Sequence, residues 1–470
     1  MKGIILMKKQ LLISALAATL SFTMLTTSEH VYASQVKSDV LTRNSLLGIM
    51  PKQTGENTLV ELSHVAPNST AEALGLQVND KITKINDTAI TDFQHLLSIV
   101  RPLKTDHSIK IEVQRSDKTL TFKGKMQPRP YEVSQYAHVH YDAVSYQGNT
   151  LRSIIYTPKK LAANKKAPAI FFIQGYTCYS IDYGMIPNVT TRQMIDQFSQ
   201  AGYVVYRIEK PGMGDSVSQK HCRDIDFTTE SNAFLQGLKD LKNKPFVDSN
   251  NVFLWGHSLG VLHAPVIAKQ SRVKGIIGYG GVLKQWHDYM VDIYQKQSVK
   301  HFSLNQKQAD ENAELVKPFL HLWLNTNTPW QEVVNDKRVQ KALSANLLEI
   351  NGEFSVNRHY SFFRDLNRYD FEKIWRELNI PVLMMHGSFD IQAIEPKWAF
   401  DIANLSNEQH SKALVIENAE HAFMRYNSQE SHMNARQTRQ YNPTNPGEHF
   451  DKRIGEQTLN WLAQFSKDTL

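Results

Sequence analysis

From Tyr131 onward the chain alternates short apolar runs with helix-like stretches. The runs Ala169–Ile173, Tyr203–Arg207, Asn251–Trp255, Pro381–Met385 and Ala413–Glu417 have the length and near-continuous apolar character of strands buried on both faces of a parallel sheet. Two further strands are predicted near Val139–Ser145 and Leu151–Tyr156, so this part of the chain reads as α/β. The segment from about Val282 to Glu377 breaks the alternation with helix-like, aromatic-rich sequence, including Trp286, Phe319, Trp323, Trp330, Tyr360, Phe362 and Phe363. Beyond it, the polar stretch Arg425–Glu448 reads as a mobile loop and Arg453–Phe465 as a last amphipathic helix.

Between about Leu46 and Met126 the pattern is different, with short strands and one longer helix. Leu46–Ile49 and a strand around Leu59–Leu62 are followed by the segment Ala66–Leu76, then Asn79–Asn86, a helix near Asp92–Arg101, and the alternating strands Ile109–Gln114 and Thr119–Gly124.

Within the α/β region, Gly256-His257-Ser258-Leu259-Gly260 joins the Asn251–Trp255 strand to the helix-like run Val261–Ala268. This is the strand-turn-helix setting of a nucleophile elbow, whose glycines leave room for a serine on a sharp turn. The pentapeptide alone is a weak signal, because both residue types are common. Its weight comes from two residues downstream. The Pro381–Met385 strand leads to Asp390, and the Ala413–Glu417 strand leads to His421. A serine hydroxyl is a poor nucleophile near neutral pH, so an imidazole must take its proton, and a carboxylate must hold that imidazole in one tautomer. Ser258, Asp390 and His421, each just past a strand, occur in the order of the α/β-hydrolase arrangement. Two backbone N–H groups are expected to receive the oxyanion: that of Leu259, at the start of the elbow helix, and that of Tyr176, in the loop Gln174-Gly175-Tyr176 after an earlier strand. Gln174 stands where lipases often carry a histidine.

The amino-terminal segments resemble a bacterial PDZ domain of the kind attached to exported proteases, most closely at Leu47-Gly48-Ile49 and at the Ala-x-x-x-Gly-Leu and Asn-Asp-x-Ile segments. The resemblance implies that the amides of Leu47, Gly48 and Ile49 receive a peptide carboxyl terminus. The stretches Gln174–Cys178, Glu209–Ser216, the elbow and Gly387–Asp390 resemble exported, carboxylesterase-like α/β-hydrolases with an amino-terminal PDZ domain. In such proteins a helical cap is inserted where Val282–Glu377 lies. Prolyl-oligopeptidase-like peptidases share the catalytic core but carry a propeller that is missing here, and dehalogenases and epoxide hydrolases would carry Asp in place of Ser258.

A chain of 470 residues exceeds a usual single domain. The expected division is a signal peptide over 1–33, a PDZ-like domain over 44–127 and an α/β-hydrolase domain over 131–470, with a cap at about 282–377. Lys8 and Lys9, the apolar stretch Leu11–Leu25 and small residues before a cut at Ser34 describe the secretory leader, so the mature protein is expected to be periplasmic or secreted. No later segment is long and apolar enough to span a membrane. The net charge of +7 is diffuse, which argues against a nucleic-acid partner and hints weakly at anionic surfaces. The two cysteines, Cys178 and Cys222, come after strands that are neighbours in this fold, and in an exported protein they invite a disulfide bracing the oxyanion loop. The expected activity is hydrolysis of a small-molecule ester, with no metal or organic cofactor. Two alternatives remain open: a serine peptidase or peptide-directed acyl hydrolase, and a PDZ-based binding protein whose hydrolase fold is a non-catalytic scaffold.

Overall fold

The computed structural model describes residues 41–53, 55, 58–406, 408–438 and 447–465. The predicted leader lies outside the described residues. Contacts divide the chain into two units: one takes Ser134–Ile181 and continues from Pro187, and the other runs to Val133 and also takes in Asp182–Ile186.

The smaller unit is built on a six-stranded sheet with the path Ile49–Pro51, Val60–Val65, Lys81–Ile85, Ser108–Arg115 and Lys118–Lys125, and Thr88–Ala89 paired off it. Strand Ser108–Arg115 buries Ile109, Ile111 and Val113, the alternation of a sheet covered on one face. Helix Phe93–Val100 starts at Asp92, whose side chain accepts from the His95 N–H, and contributes Leu96 to the same core. Asp182–Ile186 joins this unit through the Arg43–Asp182 ion pair and the Tyr183 N–H, which donates to Glu132 at 2.8 Å. The boundary expected at 131 therefore misses a five-residue return of the chain, whose partners lie far away in sequence.

The larger unit holds an eight-stranded sheet. In chain order its strands are β1 (Ala137–Tyr146), β2 (Asn149–Pro158), β3 (Ala167–Ile173), β4 (Val204–Ile208), β5 (Val247–His257), β6 (Gly275–Tyr279), β7 (Val382–Gly387) and β8 (Lys412–Ile416). Their order across the sheet is β8-β7-β6-β5-β3-β4-β2-β1. Strands β3 to β8 are parallel, while β2 pairs antiparallel with both β4 and β1. The parallel strands β3, β4, β6 and β7 bury nearly every residue, as does the Val252–Gly256 part of β5, because helices such as α1 (Thr190–Gln200), α2 (Phe227–Asn243) and α3 (Gly260–Gln270) cross over between or after them, while β8 at the sheet edge fully buries only Ile416. The chain leaves β3 for β4 on one side and returns to β5 on the other. That reversal opens a crevice at the carboxyl ends of β3 and β5, the position where such sheets bind ligands.

Between β6 and β7 lies the inserted cap, including helices Gln306–Leu320, Lys337–Ser344 and Tyr360–Leu366. It also contains a three-stranded antiparallel sheet, Ile350–Asn351, Phe354–Ser355 and Arg358–His359, where a helix-like segment was expected. The two-residue strands are too short to leave a period in the sequence. A second correction concerns Arg425–Glu448, which contains helix Gln429–Thr438 where a loop was expected. His432 is its one fully buried residue, so the helix carries no apolar stripe for hydropathy to detect.

Candidate active site

Ser258 comes directly after β5 with φ +54, the left-handed conformation that a sharp strand-to-helix turn imposes. A Cβ on Gly256 would lie 2.5 Å from the Gly260 carbonyl oxygen, and one on Gly260 would lie 2.2 Å from that of Ile173. These contacts explain why the elbow needs both glycines. The Ser258 N–H donates to the Tyr279 carbonyl at 2.9 Å, which ties the turn to β6.

Asp390 lies beyond β7 and His421 beyond β8, and Asp390 Oδ2 is 2.7 Å from His421 Nδ1. The other carboxylate oxygen of Asp390 accepts from the N–H groups of Gln392 and Ala393 at 2.8 and 2.9 Å. Burial would raise the pKa of Asp390, but the His421 ring, the hydrogen bond to it, His386 and the Ala393 N–H outweigh this and hold the carboxyl well below its usual range. Asp390 is thus an anion oriented at one imidazole nitrogen. His257, inside the elbow, donates from Nε2 to the His421 carbonyl at 2.8 Å, and its ring centroid lies 4.9 Å from that of His421. Burial pulls the pKa of His257 down to about 3, with the adjacent His421 adding to the effect, so it acts as a neutral donor.

Gly280, just past β6, has φ +65, and a Cβ there would lie 2.8 Å from His421 Nδ1 and 2.9 Å from Asp390 Oδ2. Only a glycine lets the imidazole and carboxylate meet at this point. No sequence argument singled it out. Next to His421, the buried Glu420 accepts from the N–H groups of Ala422 and Met424 at 2.6 and 3.2 Å. Burial, with Asp390 adding to it, pushes the Glu420 carboxyl up to about 7 against the pull of Arg436 and His421.

The loop after β3 is held at several points. Lys210 donates to the Gly175 carbonyl at 2.5 Å and Arg358 to the Tyr176 carbonyl at 2.7 Å. A disulfide joins Cys178 to Cys222. The Ile181 N–H donates to Glu209 at 3.1 Å, and the Ile181 carbonyl accepts from Arg207. Leu259 is the cap residue immediately before α3, with helical φ and ψ.

Ser258, Leu259, Tyr176, Gly280 and His421 line one cavity of about 170 Å³. Its wall is mainly apolar and includes Leu262, Val282, Ile293, Tyr294, Phe302 and Ile391. Of the cap aromatics noted in the sequence, Trp286 and Phe363 face this cavity, whereas Phe319, Trp323, Trp330 and Phe362 are buried in the hydrophobic core. Tyr360 stacks on Trp330 with ring centroids 5.0 Å apart. Arg436, from the unexpected helix after His421, and Glu349, from the cap, supply charge to the lining. Among the described residues, no group of three or more His, Cys, Asp or Glu is placed to hold a metal ion, and no helix is long and apolar enough to cross a membrane.

In the smaller unit Leu47 is buried and Gly48 has φ +77. The carbonyls of Leu47 and Gly48 accept from the N–H groups of Ala71 and Ala66 at 2.9 and 2.8 Å.

The Hydrolase_4 family model, described as serine aminopeptidase S33, matches residues 188–426. A PDZ-domain model matches residues 61–115. Among curated proteins, the chain is similar to esterase EstD of Thermotoga maritima, with 22% identity over 300 residues, covering 63% of this chain and 62% of that protein. The match thus spans less than two thirds of the relative's length. Among solved structures, it is similar to Est1E from Butyrivibrio proteoclasticus, at 15% identity and a TM-score of 0.41, with 69% of this chain and 99% of that chain covered. It is also similar to a soluble variant of monoglyceride lipase from Saccharomyces cerevisiae, at 17% identity and a TM-score of 0.41, with 72% and 97% covered.

Proposed function

Because this chain belongs to the Hydrolase_4 family of α/β-hydrolases, described as serine aminopeptidase S33, and carries a PDZ domain, we propose that it is an exported carboxylic-ester hydrolase acting through an acyl-enzyme on Ser258. The observation that carries the proposal is one mainly apolar cavity lined by Ser258 and by His421, whose far nitrogen is paired with the buried Asp390 anion. His421 takes the proton of the Ser258 hydroxyl as its oxygen attacks the ester carbonyl carbon. The oxyanion that forms receives the N–H groups of Tyr176 and Leu259. Collapse breaks the carbon–oxygen bond to the alcohol, which leaves with the proton held by His421. Water, deprotonated by the same imidazole, then attacks the acyl-enzyme and releases the acid. Asp390 keeps the imidazole in the required tautomer and stabilises its charged form.

The apolar wall favours an ester with a hydrocarbon acyl group. A serine aminopeptidase is the second reading, favoured by the description of the matched family model, with Glu349 bringing an acidic group to the cavity lining. Short-chain p-nitrophenyl esters assayed beside aminoacyl p-nitroanilides separate the two. We expect ester turnover and fluorophosphonate labelling in the intact protein, and loss of both in Ser258→Ala beyond the residual ~10³ to 10⁴-fold over water that binding and an oxyanion hole provide. A higher kcat/KM on the anilides would favour the peptidase. Absence of labelling would leave the PDZ-based binding protein as the reading.

Export is supported by the amino-terminal pattern and by the disulfide. The PDZ domain would recruit a peptide with a free carboxyl terminus. The C=O and N–H of a trans peptide point in opposite directions, so the inward pairing of the Leu47 and Gly48 carbonyls supports outward-facing amides at Gly48 and Ile49. Tighter binding of free-acid than of amidated peptides is the expected result, and equal affinities would remove this role.

A further inference from the structure

Behind the oxyanion loop lies a buried ionic cluster that the mechanism above leaves without a task. Lys210, at the end of β4, and Arg358, from the small cap sheet, both pair with Glu230 of α2, at 2.7 and 2.6 Å. All three side chains are at most 1% exposed. His263 of α3 also contacts Glu230 at 3.1 Å and is bonded in turn to Ser231 at 2.7 Å. Lys210 and Arg358 share the Glu230 carboxylate, and the buried Glu209 carboxylate also acts on Lys210. Such a buried ionic cluster is an expensive arrangement if stability is its only purpose, because buried ion pairs stabilise weakly.

Lys210 has a further partner in the loop after β3. Lys210 donates to the Gly175 carbonyl at 2.5 Å, and that carbonyl belongs to the same peptide group as the Tyr176 N–H. The peptide is planar and trans, so fixing its oxygen on Lys210 aims its N–H the opposite way. Gly175 itself lies against the nucleophile: a Cβ placed on it would be 3.0 Å from Ser258 Cβ and 3.4 Å from Ser258 Oγ. Arg358 holds the next carbonyl, that of Tyr176, at 2.7 Å, so the peptide cannot rotate to present its oxygen instead.

We propose that Lys210 is a positioning residue for the oxyanion hole, gripping the Gly175–Tyr176 peptide by its carbonyl so that the N–H of that peptide is both aimed at Ser258 and polarised into a stronger donor. The proposal rests on the reading of Tyr176 as an oxyanion donor. A cation at the carbonyl oxygen draws electron density through the amide and makes its N–H more acidic, and a charge-assisted bond of this kind is strengthened in low dielectric. The benefit appears as negative charge develops on the substrate oxygen, so it belongs to the transition state rather than to substrate binding. Glu230 and Arg358 complete the device, which couples the cap to the catalytic loop.

Burial pulls the Lys210 ammonium down to about 8, with Arg358 adding to the effect and Glu230 and Glu209 opposing it, while His263, His221 and Tyr176 are further titratable groups that sense the cluster. The loss of the Lys210 proton should therefore place an alkaline limb on kcat near pH 8.

The test is steady-state kinetics of the full-length protein on a p-nitrophenyl ester from pH 6 to 10, for wild type, Lys210→Met and the charge-compensated pair Lys210→Met/Glu230→Gln. Removing an oxyanion donor outright costs ~10² to 10³-fold in kcat, so weakening one should cost about 10 to 100-fold. The expected pattern is that loss in kcat, a KM within about twofold of wild type, and no alkaline limb in either variant. A folded variant with wild-type kcat would overturn the proposal, as would a wild-type kcat that stays flat through pH 8 to 9.5, a measurement that does not depend on either variant folding. Absence of ester turnover and of Ser258 labelling in wild type would instead defeat the underlying reading of the site.

Discussion

Gly280→Ala is the substitution whose effect is most directly tied to the coordinates, because it changes no residue assigned to chemistry. The added carbon would sit 2.8 Å from His421 Nδ1, 2.9 Å from His421 Cε1 and 2.9 Å from Asp390 Oδ2. Carbon contacts are comfortable at ~3.5 to 4.0 Å, so ring and carboxylate must retreat by roughly 0.6 to 1 Å. Neither has slack: Asp390 is fixed by the Gln392 and Ala393 N–H groups, and the His421 backbone by His257. A misplacement of ~1 Å can cost about 100-fold in rate, or about 2.7 kcal/mol of transition-state stabilisation. The left-handed conformation at φ +65 adds about 1 to 2 kcal/mol of strain for any residue with a Cβ. Gly352→Ala is the control, since Gly352 has φ +60 but no atom within 4 Å of the added carbon. It should show the stability loss alone. Ester kcat, the rate of fluorophosphonate labelling and thermal unfolding, measured on both variants, separate the two contributions. A folded Gly280→Ala protein with kcat within threefold of wild type would refute the reasoning that this contact governs the His421–Asp390 geometry.

Two further outcomes can be checked by stability measurements. Glu420, raised by burial from an ordinary 4.5 to about 7, binds its proton more tightly when folded, so the stability it contributes is complete below 4.5 and is lost as pH rises through 7. Glu420→Gln should therefore match wild type near pH 4 and exceed it by up to roughly 3 kcal/mol at pH 9; parallel stability curves would show that the carboxyl is not held protonated. Reduction of the disulfide, which closes a separation of 44 residues, should cost roughly 4 kcal/mol in the chain-entropy model and lower the melting temperature on the order of 10 °C. Mass spectrometry of non-reduced peptides checks the bond itself, and an unchanged melting temperature after verified reduction would contradict the estimate.

Residue order and local pattern carried a large part of this protein's architecture. Continuous apolar runs can be recognised without knowing their partners, because burial on both faces of a parallel sheet is a property of each strand. Ser258, Asp390 and His421 stood out because each comes after such a run, and Cys178 and Cys222 because the strands before them are neighbours. The tertiary structure added approaches between residues that share no local signal. Gly280 is one glycine among 22 until its φ and its distance from His421 are known. Lys210, Glu230 and Arg358 are ordinary charged residues until folding buries them around one peptide group. The aromatics of the cap are alike in sequence, and packing alone sends Trp286 and Phe363 to the cavity and Trp323 and Trp330 to the core. Helix Gln429–Thr438 and the return of Asp182–Ile186 to the smaller unit escaped for the same reason. Hydropathy records how each segment meets water, whereas the fit of one segment against another is decided only when the chain has closed around it.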